Sequence, residues 1–212
     1  MRKIQIGRND LFMYDIALLE YLGIFAFAAS GAYVAIDEKF DLFGIYMLAT
    51  ITAMGGGVLR DIVTNVGIPL FFSNYTTIPF IILGATIPII LRGKVKYNTL
   101  FVIIDAIGLS AFFVSSGIKA IERGHNLMLF LFAASITGVG GGLLRDIITN
   151  RKPEIFKTDI YCVAGILGSL LLWFLYPVMG THVAQHISLI TIFSIRMICY
   201  MKKLNLPVIT KL

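Results

Sequence analysis

Charge is the first thing in short supply. Asp, Glu, Lys and Arg make up 14% of the 212 residues and hydrophobic residues 58%, whereas soluble domains carry about 25% charged residues. With a mean hydropathy of +0.86, the chain cannot cover a globular surface with charge, which leaves an integral membrane protein. Cysteine is nearly missing as well. Cys162 and Cys199 lie in apolar stretches without CxxC or histidine spacing, so neither a disulfide nor a metal site is expected. His125, His182 and His186 sit near the ends of apolar runs without ligand spacing, and no nucleophile–base pair is visible. An enzyme is therefore not expected, and no cofactor is implied. Gly138-Val139-Gly140-Gly141-Gly142-Leu143 lacks the last glycine of a dinucleotide loop and any strand–helix–strand context. The net charge of +6 is spread over span ends, where basic residues orient a membrane protein; it forms no phosphate-binding face, which argues against nucleic acid as a partner.

What the chain has in abundance is long apolar segments. A span needs about 20 mostly apolar residues, and the pattern predicts seven: 11–36, 42–66, 77–91, 98–121, 126–150, 159–176 and 181–201. Asp37–Asp41, Gly67-Ile68-Pro69, Arg92–Lys96 and Arg151-Lys152-Pro153 mark loops by charge and helix breakers. No separate soluble domain fits between them. The apolar run from Leu11 is too long for a cleavable signal, so the first span is expected to be retained. Arg2, Lys3, Arg8, Lys119 and Arg123 fall on one side. Lys39, Arg92, Lys94, Lys96, Arg151, Lys152, Lys157, Lys202, Lys203 and Lys211 fall on the other. The positive-inside rule then puts the N-terminus outside and the C-terminus in the cytoplasm.

One heptapeptide occurs twice. Gly55-Gly56-Gly57-Val58-Leu59-Arg60-Asp61 returns 85 residues later as Gly140-Gly141-Gly142-Leu143-Leu144-Arg145-Asp146. Each glycine inside a helix forgoes roughly 1 kcal/mol relative to alanine, and each charge at membrane depth costs about 2.5–3.5 kcal/mol on insertion. At the same offset Glu20-Tyr21-Leu22-Gly23 meets Asp105-Ala106-Ile107-Gly108, and after a one-residue slip Ala29-Ser30-Gly31 meets Ser115-Ser116-Gly117. Spans 1–3 (11–91) and 4–6 (98–176) therefore read as two copies of one module, and span 7 (181–201) as an addition. Three spans per module make the second copy inverted. The expected architecture is an all-α membrane protein with an inverted 3+3 repeat plus one helix.

The glycine triplets are expected to kink or unwind spans 2 and 5, because glycine readily leaves helical angles. Broken spans would present a negative helix end to a cation and a positive one to an anion. Asp61 and Asp146 would then cap the second half-helices, and Arg60 and Arg145 would pair with them or with Glu20 and Asp105. Ser30, Thr52, Ser115, Ser116 and Thr137 add polar groups around the path, and Lys119 is a candidate gating cation near one mouth. The plainer reading is that the glycines only permit close helix approach, as in Ala53-xxx-Gly57 and Gly138-xxx-Gly142, and that the Arg–Asp pairs only brace them. Ala164-xxx-Gly168 and Gly165-xxx-Ser169 suggest another tight contact, within or between subunits, while Arg196 has no evident partner.

These residues also carry a resemblance. The doubled GGGxxRD string, Phe27–Gly31, Asp105–Leu109, Pro153-Glu154-Ile155-Phe156, Arg196 and Leu206-Pro207 resemble the prokaryotic trimeric intracellular cation (TRIC) channel family over nearly the whole chain. The resemblance implies a homotrimer of seven-helix subunits in a prokaryotic plasma membrane, each with its own pore for K⁺ and less selectively Na⁺. Gly55–Gly57 and Gly140–Gly142 would shape that pore, with lipid as a further partner. A secondary transporter of a small amino acid such as glycine, and a packing or assembly protein without transport, stand as alternatives.

Overall fold

The computed structural model describes residues 2–73, 75–91, 97–157 and 160–205. Among them every regular element is helical: α1 (Arg2–Asp37), α2 (Leu42–Val63), the short α3 (Leu70–Ser73), a 3₁₀ turn (Tyr75–Thr77), α4 (Ile78–Leu91), α5 (Tyr97–Glu122), α6 (Leu127–Ile148), the short α7 (Glu154–Lys157) and α8 (Tyr161–Lys202). Five segments are long and apolar enough to cross a membrane: 16–37, 42–63, 99–122, 127–148 and 161–202. A shorter apolar one covers 75–91. The basic stretch 92–96, Asp159 and Leu206-Pro207 lie outside the described residues.

Local signals explain the boundaries. Asp41 and Asn126 cap α2 and α6, accepting the amides of Gly44 and Leu129 at 2.7 and 2.9 Å. Both helices stop in the same way. Asn65 and Asn150 adopt left-handed angles (φ +52° and +54°). The following amides, of Val66 and Arg151, return to the Asp61 and Asp146 carbonyls at 3.1 and 2.8 Å, a Schellman ending that asparagine tolerates. Helix α8 is two limbs, 161–179 and 181–202, divided at Gly180, whose φ of +73° and ψ of +170° reverse the chain just after Pro177. The limbs fold onto each other, with Gly168 under Ile192 and Arg196 over the Tyr161 ring.

Packing at the centre repeats itself. Helix α1 packs on α2, α4 and α5, and α5 packs on α6, α8 and α1. Phe27 of α1 fills the space over Gly108 of α5, and Phe112 of α5 fills the space over Gly23 of α1; Phe27 and Phe112, like Gly23 and Gly108, are related by the 85-residue offset.

Helices α2 and α6 cross at the glycines. A Cβ at Gly56 would collide with the Thr137 carbonyl, and one at Gly141 with the Thr52 carbonyl; one at Gly140 would lie 3.0 Å from the Gly56 Cα. Residue numbers fall along one helix as they rise along the other, so the two run antiparallel.

Here an expectation is corrected. Both helices remain helical through their triplets, from Leu42 to Val63 and from Leu127 to Ile148, and the non-helical residue inside an assigned helix is Gly180. Gly56, Gly140 and Gly141 are used for backbone-to-backbone approach, which bare Cα atoms permit without giving up intrahelical hydrogen bonds.

Candidate functional site

Because the helices run on, Arg60-Asp61 and Arg145-Asp146 occupy the last turns of α2 and α6, not the first turns of half-helices as expected from sequence. A cation is favourable there, next to the negative end of the helix. Antiparallel packing puts the two pairs on opposite sides of the glycine crossing. All four side chains are buried, at 4, 2, 1 and 3% exposure in sequence order. Helix neighbours at i and i+1 do not ordinarily face each other, yet each arginine curls back on its aspartate. Arg60 Nε donates to Asp61 Oδ1 at 2.9 Å and Arg145 Nε to Asp146 Oδ1 at 2.8 Å. A buried charge left without its partner would be strongly destabilising.

The surroundings of the two pairs differ. Arg145 also donates through Nη1 to Asp105 Oδ1 at 2.9 Å and to the Ser30 hydroxyl, and its guanidinium lies 5.0 Å from the Phe101 ring centroid. Tyr161 donates to Asp105 Oδ2 at 2.7 Å, and Arg196 stacks over that tyrosine at 4.7 Å. Asp146 Oδ2 accepts the amide of Glu154 at 3.0 Å, which seats α7 at this end. Arg60 instead reaches the Ser116 hydroxyl at 3.5 Å. Ser116 bonds to Thr137 Oγ1 at 2.9 Å and donates to the Ala133 carbonyl at 3.0 Å. Glu20, which aligns with Asp105, is taken by Lys119 at 2.7 and 2.8 Å, so of the carboxylates offered to the two arginines by the sequence, Asp61, Asp146 and Asp105 are paired with them and Glu20 is paired with Lys119. Lys119 is a partner in this ion pair.

The remaining polar candidates are mostly occupied within their own helices. Thr52 and Thr137 donate to the carbonyls four residues back at 2.7 Å, and Ser115 to Phe112 at 3.5 Å. Two spaces open beside the Arg–Asp pairs. A vestibule of about 350 Å³ is lined by Val34, Phe101, Arg145, Asp146, Arg151, Lys152 and Glu154. On the other side, a cavity of about 30 Å³ lies among residues including Glu20, Gly57, Arg60, Asp61 and Thr137, room for about one water. Arg151 bonds Glu38 at 2.6 Å and also Asp37. The α1–α2 and α6–α7 connections therefore share a face.

Sequence reasoning missed Tyr161, Phe101 and Arg151, and left Arg196 unassigned. The tyrosine and phenylalanine carry no pattern that separates them from other apolar-span aromatics. A readable signal did exist for the helix ends: the doubled string continues as Arg60–Asn65 and Arg145–Asn150, differing only at Val63 and Ile148.

Comparisons with known proteins agree with this geometry. A family model described as glycine transporter matches twice, over residues 17–92 and 102–177. The chain is similar to the UPF0126 membrane protein YvgT of Bacillus subtilis (strain 168), 34% identical over 195 residues that cover 90% of this chain and 94% of that protein. It is also similar to a solved structure described as a structural basis for conductance through TRIC cation channels (28% identity, TM-score 0.82, 92% of this chain and 97% of that one). Another, a prokaryotic TRIC channel crystallised in 0.5 M KCl, gives 26% identity and a TM-score of 0.85 over 92% of this chain and 100% of that one. With several apolar helices and membrane-protein relatives along its length, the chain is an integral multi-pass membrane protein. It belongs to the prokaryotic trimeric intracellular cation (TRIC) channel family, which includes the bacterial UPF0126 membrane proteins.

Proposed function

We propose that this protein is a monovalent cation channel, passing K⁺ and less selectively Na⁺ through a path inside each subunit of a homotrimer in a prokaryotic plasma membrane. The observation that carries the reading is the placement of two buried Arg–Asp clusters on opposite sides of the α2–α6 glycine crossing, each beside a space that charged side chains help to line. Counting α4 and both limbs of α8, the helices offer seven crossings: an inverted pair of three-helix modules and a seventh limb. Arg145 is held between two carboxylates, Asp105 and Asp146, so the buried cluster holds one more acidic group than basic. The similarity to TRIC cation channel structures supports the same reading. On this reading Gly55, Gly56, Gly140 and Gly141 set the crossing, and the Arg–Asp pairs are the narrow points of the path.

A second reading, secondary transport of a small zwitterion such as glycine, rests on the mixed charge of the vestibule, where Arg151 and Lys152 stand near Asp146 and Glu154. Planar-bilayer recording of purified protein separates the two. Unitary K⁺ currents are expected. Absence of such currents, together with saturable glycine uptake that shows counterflow in proteoliposomes, overturns the channel in favour of the carrier.

A further inference from the structure

The three glycines of each triplet do not have the same surroundings. At Gly56 and Gly141 a Cβ would collide with a backbone carbonyl of the opposite helix, and at Gly140 it would press on the Gly56 backbone. Those positions admit no side chain if the helices are to cross. Gly55 faces the Leu144 side chain across the same contact. The third glycine is different. A Cβ at Gly57 would meet nothing within 4 Å, and one at Gly142 would lie at ordinary contact distance, 3.5 Å from the Tyr161 hydroxyl and 3.7 Å from Arg145 Nη2. Neither has a positive φ that would demand glycine, and both sit inside a regular helix, where alanine is the more stable residue. Close backbone packing thus explains Gly56, Gly140 and Gly141, and the Leu144 side chain covers Gly55, while the third glycine of each triplet is left unexplained.

Position supplies the explanation. Gly57 is one turn before Asp61 and lines the small cavity with Arg60, Asp61, Glu20 and Thr137. Gly142 holds the equivalent place in α6, against Arg145 and the tyrosine bound to Asp105. Resting on the channel reading above, we infer that Gly57 and Gly142 set the calibre of the ion path. Each keeps a methyl-sized space empty beside an Arg–Asp pair, so their lack of a side chain serves permeation rather than helix packing. Even one methyl group fills a large share of a space that holds about one water.

The inference reverses the usual link between stability and activity. Gly57→Ala and Gly142→Ala are expected to unfold at or slightly above the wild-type temperature in detergent. Their unitary K⁺ conductance in planar bilayers should fall to half or less, and the permeability of methylammonium relative to K⁺ should fall further. Gly57→Val should conduct less than Gly57→Ala. Gly56→Ala should instead unfold at a lower temperature. Wild-type conductance in both alanine variants of the third glycines overturns the inference, as does a lowered unfolding temperature, which would make them packing glycines. A wild-type protein without unitary currents overturns the channel reading and this assignment together, whereas unaltered variants of a conducting wild type overturn this assignment alone.

Discussion

At the scale of single residues, the burial of Arg145 is the most demanding feature. Its guanidinium is 1% exposed and is satisfied by Asp146, Asp105 and Ser30 together. Arg145→Met would leave two carboxylates buried without a cation, and the loss of one partner of a buried pair is worth about 3–5 kcal/mol. A drop of that size is expected in thermal unfolding of detergent-solubilised protein. Asp105→Asn should itself destabilise the wild type, yet stabilise the Arg145→Met variant by removing one of the two orphaned charges. Such a reversal is the mark of coupled groups, and additive effects would show that the side chains do not act as one cluster. Tyr161→Phe keeps the ring under Arg196 and loses only the hydroxyl bound to Asp105, so it should cost less, about 1.5–3 kcal/mol for a hydrogen bond to a charged group.

At the scale of the helix, how α2 and α6 end fixes where their charges stand. The left-handed Asn65 and Asn150 terminate each helix one turn after the Arg–Asp pair. Asn65→Val and Asn150→Val place a β-branched residue in that conformation and should each cost about 1–2 kcal/mol, while the glycine variants should unfold near the wild-type temperature; thermal unfolding checks both. The all-helical, membrane-spanning character was legible in the sequence, because an apolar run of membrane length has few alternatives; five helices among the described residues reach that length, where the sequence predicts seven spans. The course of the chain through the glycine triplets was not. Glycine permits both a break and a close approach, and only the facing helix decides which. Thr137 and Thr52 present their carbonyls to Gly56 and Gly141, contacts between residues 81 and 89 positions apart. Likewise the pairing of Asp105 with Arg145 and of Glu20 with Lys119 depends on how α5 lies against α1 and α6, so local sequence offered both carboxylates equally.

At the scale of the whole molecule, the two Arg–Asp clusters differ in their neighbours, which makes orientation in the membrane a functional matter. Arg151 ties the connection after α6 to Asp37 and Glu38 at the end of α1, so Lys39 and Lys152 lie on one face, next to the Arg145 vestibule. The turn around Arg123, with a left-handed Gly124 (φ +70°), joins the other ends of α5 and α6. By the positive-inside rule, the excess of Lys and Arg on the Lys39 side predicts that the Arg145 vestibule opens to the cytoplasm and the Arg60 cavity to the outside. Single cysteines test this in a background with Cys162→Ser and Cys199→Ala. In intact cells a membrane-impermeant maleimide should label Arg123→Cys at once. It should label Lys39→Cys only after the membrane is permeabilised. The reverse pattern inverts the molecule, in which case reagents added from outside would meet the cluster built by Asp105, Tyr161 and Arg145 first. Labelling of both positions in intact cells would mean that the chain inserts in both orientations, and that its two-to-one charge bias is too weak to choose between them.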